Sequence, residues 1–191
     1  MRSFTALSLL GCVSIAAAHF QLQFPDPRGV FDEDNEPNFC DGYNTPASNR
    51  TQFPLSGGFY SLNSEHPTWS VAALISNSSD PQNFDNFELA TQFAQLNGEG
   101  VFCLPLNFST SANATAMNLK AGDNVTIQIQ FSGGDGDLFQ CADLTLSNDT
   151  SLLQNTACSN ATDSDTGAAE KPGLNFALSL LGALGLTLNF L

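Results

Sequence analysis

Apolar and polar residues alternate along several short stretches of this 191-residue chain. In Asn124–Phe131 (NVTIQIQF) every second residue is apolar, and Phe20–Phe24 (FQLQF) repeats the pattern. A period of two is typical of a strand with one buried face. Three more stretches rich in apolar and β-branched residues predict further strands: Trp69–Ser76, Val101–Leu106 and Leu138–Leu146. No long segment has an apolar period of 3.6 residues, which argues against a helical fold.

Turn residues separate these strands, at Ser56–Gly58, Asn97–Gly98 and Ser132–Gly136. Short strands with regular turns predict an all-β fold, an immunoglobulin-like antiparallel β-sandwich. Asp26–Pro54 is rich in Pro, Asn and Asp with weak periodicity, so we expect long loops held by Cys40. Phe84–Phe93 fits either a strand or one short helix.

The first 18 residues have the pattern of a signal peptide. Arg2 precedes an apolar run that ends in three alanines at 16–18. Small residues at that place favour cleavage after Ala18, which would make His19 the first residue of the mature chain. The folded domain is then expected over residues 19–158.

The C-terminal residues resemble a signal for a glycosylphosphatidylinositol (GPI) anchor. A polar linker at 159–173 precedes an uncharged apolar tail at 174–191. Small residues, a polar spacer and a terminal apolar tail predict lipid attachment within Ser159–Gly167 and removal of the tail. A tail-anchor helix or a C-terminal core helix are the alternatives. The expected location is extracellular, at the cell membrane, with the cell wall as a further site.

Acidic residues dominate the charge: 19 Asp and Glu oppose 5 Lys and Arg, for a net charge of −14. This balance argues against nucleic acid as a partner, because nucleic acids bind through Lys and Arg. It favours cations, although scattered acidic residues also serve solubility alone. We expect a monomer.

The cysteines predict disulfides. Cys12 leaves with the signal peptide, and four remain: Cys40, Cys103, Cys141 and Cys158. An even number in an oxidising compartment predicts two disulfides, with three pairings open. Zinc is disfavoured because the sequence has no C-x-x-C pair.

The chain also contains seven N-x-S/T sequons, more than chance gives in a chain of this length, which predicts a glycoprotein. They begin at Asn49, Asn77, Asn107, Asn113, Asn124, Asn148 and Asn160.

The chain has only two histidines, His19 and His66. As a mature N-terminus, His19 would offer its α-amine and its ring Nδ1 to one metal ion, and the amine loses its proton readily near neutral pH. A second imidazole from His66 would complete a planar set of three nitrogens. Such a set suits Cu(II), which also heads the divalent affinity order. Taken alone, His66 is more typical of a packed or surface histidine than of a metal ligand.

A carboxylate is the candidate fourth ligand. Asp135 and Asp137 lie in a glycine-rich turn before the strand that contains Cys141, and Asp143 follows on that strand. Aspartate between glycines is also ordinary turn chemistry. An EF-hand is excluded, because no 12-residue loop closes with Glu, and no nucleophile motif such as G-x-S-x-G is present.

The order of several motifs is similar to that of the fungal GPI-anchored copper-binding proteins related to lytic polysaccharide monooxygenases, the copper acquisition factor-like family. The resemblance runs from His19 to about Cys158. The motifs are His19-Phe20-Gln21-Leu22, Cys40-Asp41-Gly42, His66-Pro67-Thr68-Trp69, Gly100-Val101-Phe102-Cys103-Leu104-Pro105 and Leu138-Phe139-Gln140-Cys141-Ala142-Asp143. Two glycines are expected after the first mature cysteine, and here Asp41 replaces one of them.

The resemblance implies a histidine brace that holds one Cu(II) ion through His19 and His66, with Asp135 as fourth ligand and Asp137 or Asp143 as alternatives. It also implies the pairings Cys40–Cys141 and Cys103–Cys158. The implied function is non-catalytic copper acquisition or homeostasis at the cell surface, with a membrane copper importer as a partner. The alternatives are a copper-dependent polysaccharide monooxygenase and a structural cell-wall glycoprotein.

Overall fold

The computed structural model describes residues 19–134 and 136–161. The described part is mostly β-strand, with one short helix, α1 (Ala112–Ala116), and two single 3-10 turns at Phe39–Gly42 and Phe84–Asn86. Its strands are β1 (Phe20–Phe24), β2 (Thr51–Pro54), β3 (Gly58–Ser64), β4 (Thr68–Ser76), β5 (Glu88–Leu89), β6 (Ala94–Asn97), β7 (Gly100–Leu106), β8 (Asn124–Ser132) and β9 (Asp137–Ser147).

The strands form two sheets, which confirms the predicted all-β sandwich. One sheet has the order β1-β3-β7, and the other has the order β2-β9-β8-β4-β5, with β6 also paired to β4. The pairings are antiparallel except that of β2 with β9, which is parallel.

The core lies between the sheets and consists of the apolar residues that alternate along the strands. Phe20 of β1 stacks on Phe131 of β8 with ring centroids 5.0 Å apart, and Trp69 of β4 stacks on Phe131 at 5.1 Å. Trp69 is buried, and its indole N–H donates to the Gly98 carbonyl at 2.9 Å, so its one polar atom is satisfied.

The outer face of the larger sheet differs from the prediction. Thr126 and Gln128 of β8 alternate with the core residues and were expected to face solvent, yet both are buried. The long segment between β1 and β2 lies on this face: its Arg28 binds Asp143 of β9 and the Thr126 hydroxyl. Gln128 donates to Cys141 Sγ at 3.8 Å, in the disulfide that Cys141 forms with Cys40 of the same segment. A polar side chain that is covered in this way needs such partners.

Two disulfides hold the loops to the sheets. Cys40 pairs with Cys141 and Cys103 with Cys158, the pairing that the family resemblance implied. The first fixes the β1–β2 segment on β9.

The second disulfide fixes the segment after β9 along the edge strand β7. In that segment Asn160 Oδ1 accepts the Cys103 N–H at 2.8 Å. The segment reaches the start of β7 at Ala161, whose Cβ would lie 2.9 Å from a Cβ placed on Gly100.

The segments outside the well-predicted strands agree with expectation in part. Phe84–Phe93 contains both elements that it suggested, the 3-10 turn at 84–86 and the short strand β5. The β1–β2 segment is irregular as expected, but it ends in β2, which was not predicted. The proposed signal peptide, the apolar tail and Asp135 lie outside the described residues. Within the described residues, no helix is long and apolar enough to span a membrane.

Candidate metal centre

The pairing of β1 with β3 brings the two histidines to the same end of the sandwich. His19 directly precedes β1, and its carbonyl accepts the Glu65 N–H at 3.0 Å, which continues the pairing of Phe20 with Ser64. His66 is the next residue after Glu65, in the short connection between β3 and β4. The backbone therefore places residues 19 and 66 at the same end of the sandwich, one residue out of register with each other.

The ring of His66 is oriented by its own strand connection. Its Nδ1 lies 2.7 Å from the carbonyl oxygen of Thr68, a distance that fits donation from a protonated Nδ1. In that tautomer Nε2 keeps its lone pair. Histidines that bind metals commonly have the second ring nitrogen held in this way.

The ring of His19 is held by a buried glutamate. Its Nδ1 lies 2.6 Å from Glu36 Oε2, and its Nε2 lies 3.9 Å from Glu33 Oε2. The Glu36 side chain has no exposed area, whereas that of Glu33 is 65% exposed. The sequence does not single out Glu36, because nothing distinguishes it from its neighbours in the acidic segment Asp32–Glu36.

Glu36 also belongs to a buried network that fixes β1. Its Oε1 accepts the Phe20 N–H at 3.1 Å and the Gln140 amide at 3.2 Å. Gln140 itself accepts from the Leu22 N–H at 2.9 Å and donates to the Phe20 carbonyl at 2.7 Å. These two side chains therefore bind the edge of β1 that faces away from β3.

Burial and contact shift the pKa values of this pair. Burial raises the pKa of Glu36 to about 7, although hydrogen bonds from His19 and the Phe20 amide act in the opposite direction. Burial acts to lower the pKa of His19, but its hydrogen bond to Glu36 and the charges of Glu36, Glu33 and Glu65 outweigh this effect and raise it. Both shifts favour a proton held between the two side chains near neutral pH.

The three candidate aspartates, proposed as the fourth metal ligand, differ in their surroundings. Asp135 lies outside the described residues. Asp137 begins β9, is exposed, and accepts from the Gln130 amide at 3.0 Å. Asp143 is buried, and its two oxygens accept from Arg28 at 2.8 and 2.9 Å, so it is committed to an ion pair.

The ionisation of Asp143 agrees with this structural role. Burial acts to raise its pKa, but hydrogen bonds from Arg28, Thr126 and the Ala47 N–H outweigh burial and lower it. Asp143 is therefore a charged partner within the fold and is not available to a metal ion. Among residues 19–134 and 136–161, no group of three or more His, Cys, Asp or Glu has the arrangement of a metal site.

Comparison with known proteins gives the family. A family model described as copper acquisition factor BIM1-like matches residues 17–163. Copper acquisition factor BIM1 of Cryptococcus neoformans var. grubii is 36% identical over 164 residues, which cover 84% of this chain and 73% of that protein. Its counterpart in Cryptococcus neoformans var. neoformans is 39% identical over 156 residues, 77% of this chain and 68% of that protein.

Among solved structures, a lytic polysaccharide monooxygenase of Jonesia denitrificans aligns with 68% of this chain and 100% of its own. The TM-score is 0.43 and the sequence identity is 15%. The family assignment depends on the sequence matches, which extend along most of this chain and most of each relative. This chain belongs to the copper acquisition factor BIM1-like family.

Proposed function

We propose that this protein is an extracellular, GPI-anchored, non-catalytic copper-binding protein that acts in copper acquisition or homeostasis at the cell surface. One Cu(II) ion is its cargo. The ligands are the α-amine and ring Nδ1 of a mature N-terminal His19 and a ring nitrogen of His66, with Asp135 as the fourth ligand. The protein passes the ion to a membrane importer or buffers it outside the membrane.

The shared position of the two histidines is the observation that carries the proposal. The Glu65 N–H donates to the His19 carbonyl, so the backbone of residue 19 is fixed one residue away from His66. The Thr68 carbonyl holds His66 Nδ1 and leaves Nε2 for a metal. Two imidazoles and an amine form a nitrogen donor set that suits Cu(II).

The proposed brace requires a change at His19. In the chain with its leader, residue 19 has an amide nitrogen and its Nδ1 binds Glu36. Cleavage after Ala18 would supply the amine, and Cu(II) would then compete with Glu36 for Nδ1. Leader removal and lipid attachment within Ser159–Gly167 are parts of this proposal that depend on the sequence patterns at the two ends.

Titration of Cu(II) into a mature chain that begins at His19 tests the brace. A matched chain with one alanine added before His19 keeps both imidazoles but loses the amine. We expect this extension, and separately His66→Ala, to weaken the affinity by more than about tenfold, because each removes a ligand. Equal affinity of the extended and mature chains would contradict the brace.

The non-catalytic part of the proposal has its own test. The copper-loaded protein, given a reductant and chitin or cellulose, should release no oxidised sugars. Oxidised products that disappear with His66→Ala would show that the protein is an enzyme.

A further inference from the structure

The strand registers define two ends of the sandwich. The histidine end contains His19 and the strand ends that pair there, Ser64 of β3 with Gly100 of β7. The opposite, distal end contains the other ends of these strands, where Gly58 pairs with Leu106.

The larger sheet has the same two ends. β4 starts at the histidine end, because only residues 65–67 separate it from β3. At the distal end Leu55, which follows β2, joins the two sheets through its backbone. Its N–H donates to the carbonyl of Ser147 in β9 at 2.9 Å, and its own carbonyl accepts the N–H of Ser109, which lies after β7, at 3.1 Å.

Five of the seven sequons lie at the distal end of the sandwich, and we call them the distal sequons. They begin at Asn77 after β4, Asn107 after β7, Asn113 in α1, Asn124 at the start of β8 and Asn148 after β9. Asn49 lies just before the edge strand β2, and Asn160 lies beside the edge strand β7. None of the seven lies in the connections at 65–67, 98–99 or 133–136 of the histidine end.

The side chains of the distal sequons are compatible with attached sugar. Asn107 is half-buried and the other four are exposed. Asn107 and Asn124 use Oδ1 to accept from Ser109 and Thr145, so these bonds do not involve Nδ2. The Asn113 Nδ2 donates to the Leu89 carbonyl at 3.0 Å, and a glycosylated amide keeps one N–H for this bond.

We propose that the distal sequons carry N-linked glycans that cover the distal end and leave the histidine end as the exposed contact face. In this modification Nδ2 bonds to C1 of an oligosaccharide while the bond from C1 to a lipid-linked pyrophosphate breaks, and the amide loses one proton. The inference rests on the secretory route of the proposed function. It extends that function, because any macromolecule that receives copper must approach an end free of sugar.

Glycan mapping tests the modification. The full chain is expressed in a fungal secretory host, treated with an amidase that releases N-glycans in ¹⁸O water, and analysed by peptide mass spectrometry. We expect the mass increase of an ¹⁸O-labelled aspartate at each distal sequon. Fewer than four occupied positions among the five would overturn the proposal. This map does not depend on copper, so failed copper binding would overturn the proposed function and not this inference.

A sequon added at the histidine end tests the exposed face. Glu99→Thr makes Asn97 a sequon there, and both residues are exposed. Cells that depend on this protein for growth in low copper should fail with Glu99→Thr and grow with Glu99→Ala. Normal growth with a glycan shown on Asn97 would overturn the contact face. An Asn97 that carries no glycan in the secreted Glu99→Thr protein would also overturn the contact face, because an exposed end of the sandwich has to be open to glycosylation.

Discussion

At the scale of single residues, Glu36 determines which ring nitrogen of His19 already has a partner, since it binds Nδ1. A buried carboxylate needs partners, and Glu36 finds them in the His19 ring, the Phe20 amide and Gln140. The first two residues of the proposed mature chain are therefore fixed by one side chain. In the proposed brace, the same contact would make Glu36 a competitor of copper for Nδ1.

Glu36→Gln should reduce the pH dependence of stability in the copper-free protein. Burial raises the pKa of Glu36 to about 7, and the pKa of its partner His19 is also raised. The folded state thus binds these protons more tightly than the unfolded chain. The resulting stability is fully present below the unfolded pKa of Glu36, about 4.5, and is lost as the pH rises through about 7.

Thermal unfolding at about pH 5 and pH 8 measures this effect. We expect the wild type to lose on the order of 2 kcal/mol between these pH values through this pair. Glu33→Gln is the matched control, because that carboxylate is largely exposed and its variant should keep the wild-type slope. A wild-type slope in Glu36→Gln would show that another group is responsible.

Asp41→Gly should stabilise the protein. Asp41 has a φ of 57°, a left-handed conformation that favours glycine, and one of its buried oxygens, Oδ1, has no hydrogen-bond partner among the described residues. Burial raises its pKa to about 6, so the charged form costs stability above that pH and the gain should be larger at pH 8 than at pH 5.

Urea unfolding at pH 8 should give a gain of about 1 kcal/mol for Asp41→Gly. The loss of the Asp32 N–H contact at 3.2 Å offsets part of the gain. Asp41→Ala is the control, since it removes the charge but keeps the Cβ in the left-handed region, and it should gain less. A glycine variant less stable than the wild type would contradict the argument.

At the scale of elements, the β1–β2 segment has little regular structure but is bound tightly to β9. Besides the disulfide, Arg28 donates to both oxygens of Asp143, and both side chains are almost completely buried. Arg28 also donates to the Tyr43 carbonyl, and the Ala47 N–H donates to Asp143. This ion pair holds both halves of the segment to the sheet.

Arg28→Met should lower the free energy of unfolding by roughly 3 kcal/mol, because it removes the cation that is hydrogen-bonded to the buried Asp143. The guanidinium of Arg50, 3.7 Å from Asp143, replaces only part of that interaction. The double variant Arg28→Met/Asp143→Leu removes both charges and should recover part of the loss. Urea denaturation of Arg28→Met, Asp143→Leu and the double variant measures the coupling between the two residues. A double variant whose loss of stability equals the sum of the two single losses would show that the residues are not coupled.

The period of two predicts β1 and β8, and runs of apolar and β-branched residues predict β4, β7 and β9; all five lie within one residue of the expected bounds. β3 and β6 were not predicted. β2 was not predicted, since its four residues TQFP are too few to show a period and its partner β9 is distant in sequence. The burial of Thr126 and the role of Glu36 depend on long-range contacts, which no local pattern reports.

At the scale of the whole molecule, copper binding should appear as stability. A ligand that binds only the folded state at 100 times its dissociation constant adds about 2.7 kcal/mol. We expect a melting temperature several degrees higher for the copper-loaded mature chain, reversed by a chelator. His66→Ala, with its more than about tenfold weaker affinity, should show a clearly smaller rise at the same copper concentration. A copper-induced rise of wild-type size in that variant would exclude His66 as a ligand.

The contact between Ala161 and Gly100 determines which end of the sandwich would lie nearest the membrane in a lipid-anchored protein. Ala161 lies at the start of β7, on the same end of the sandwich as His19. Gly167, the last candidate attachment residue, follows six positions later, a reach of about 20 Å. A lipid joined there would turn the proposed copper ligands towards the bilayer and direct the opposite end outwards. An ion bound from outside would thus already be near the plasma membrane that it has to cross.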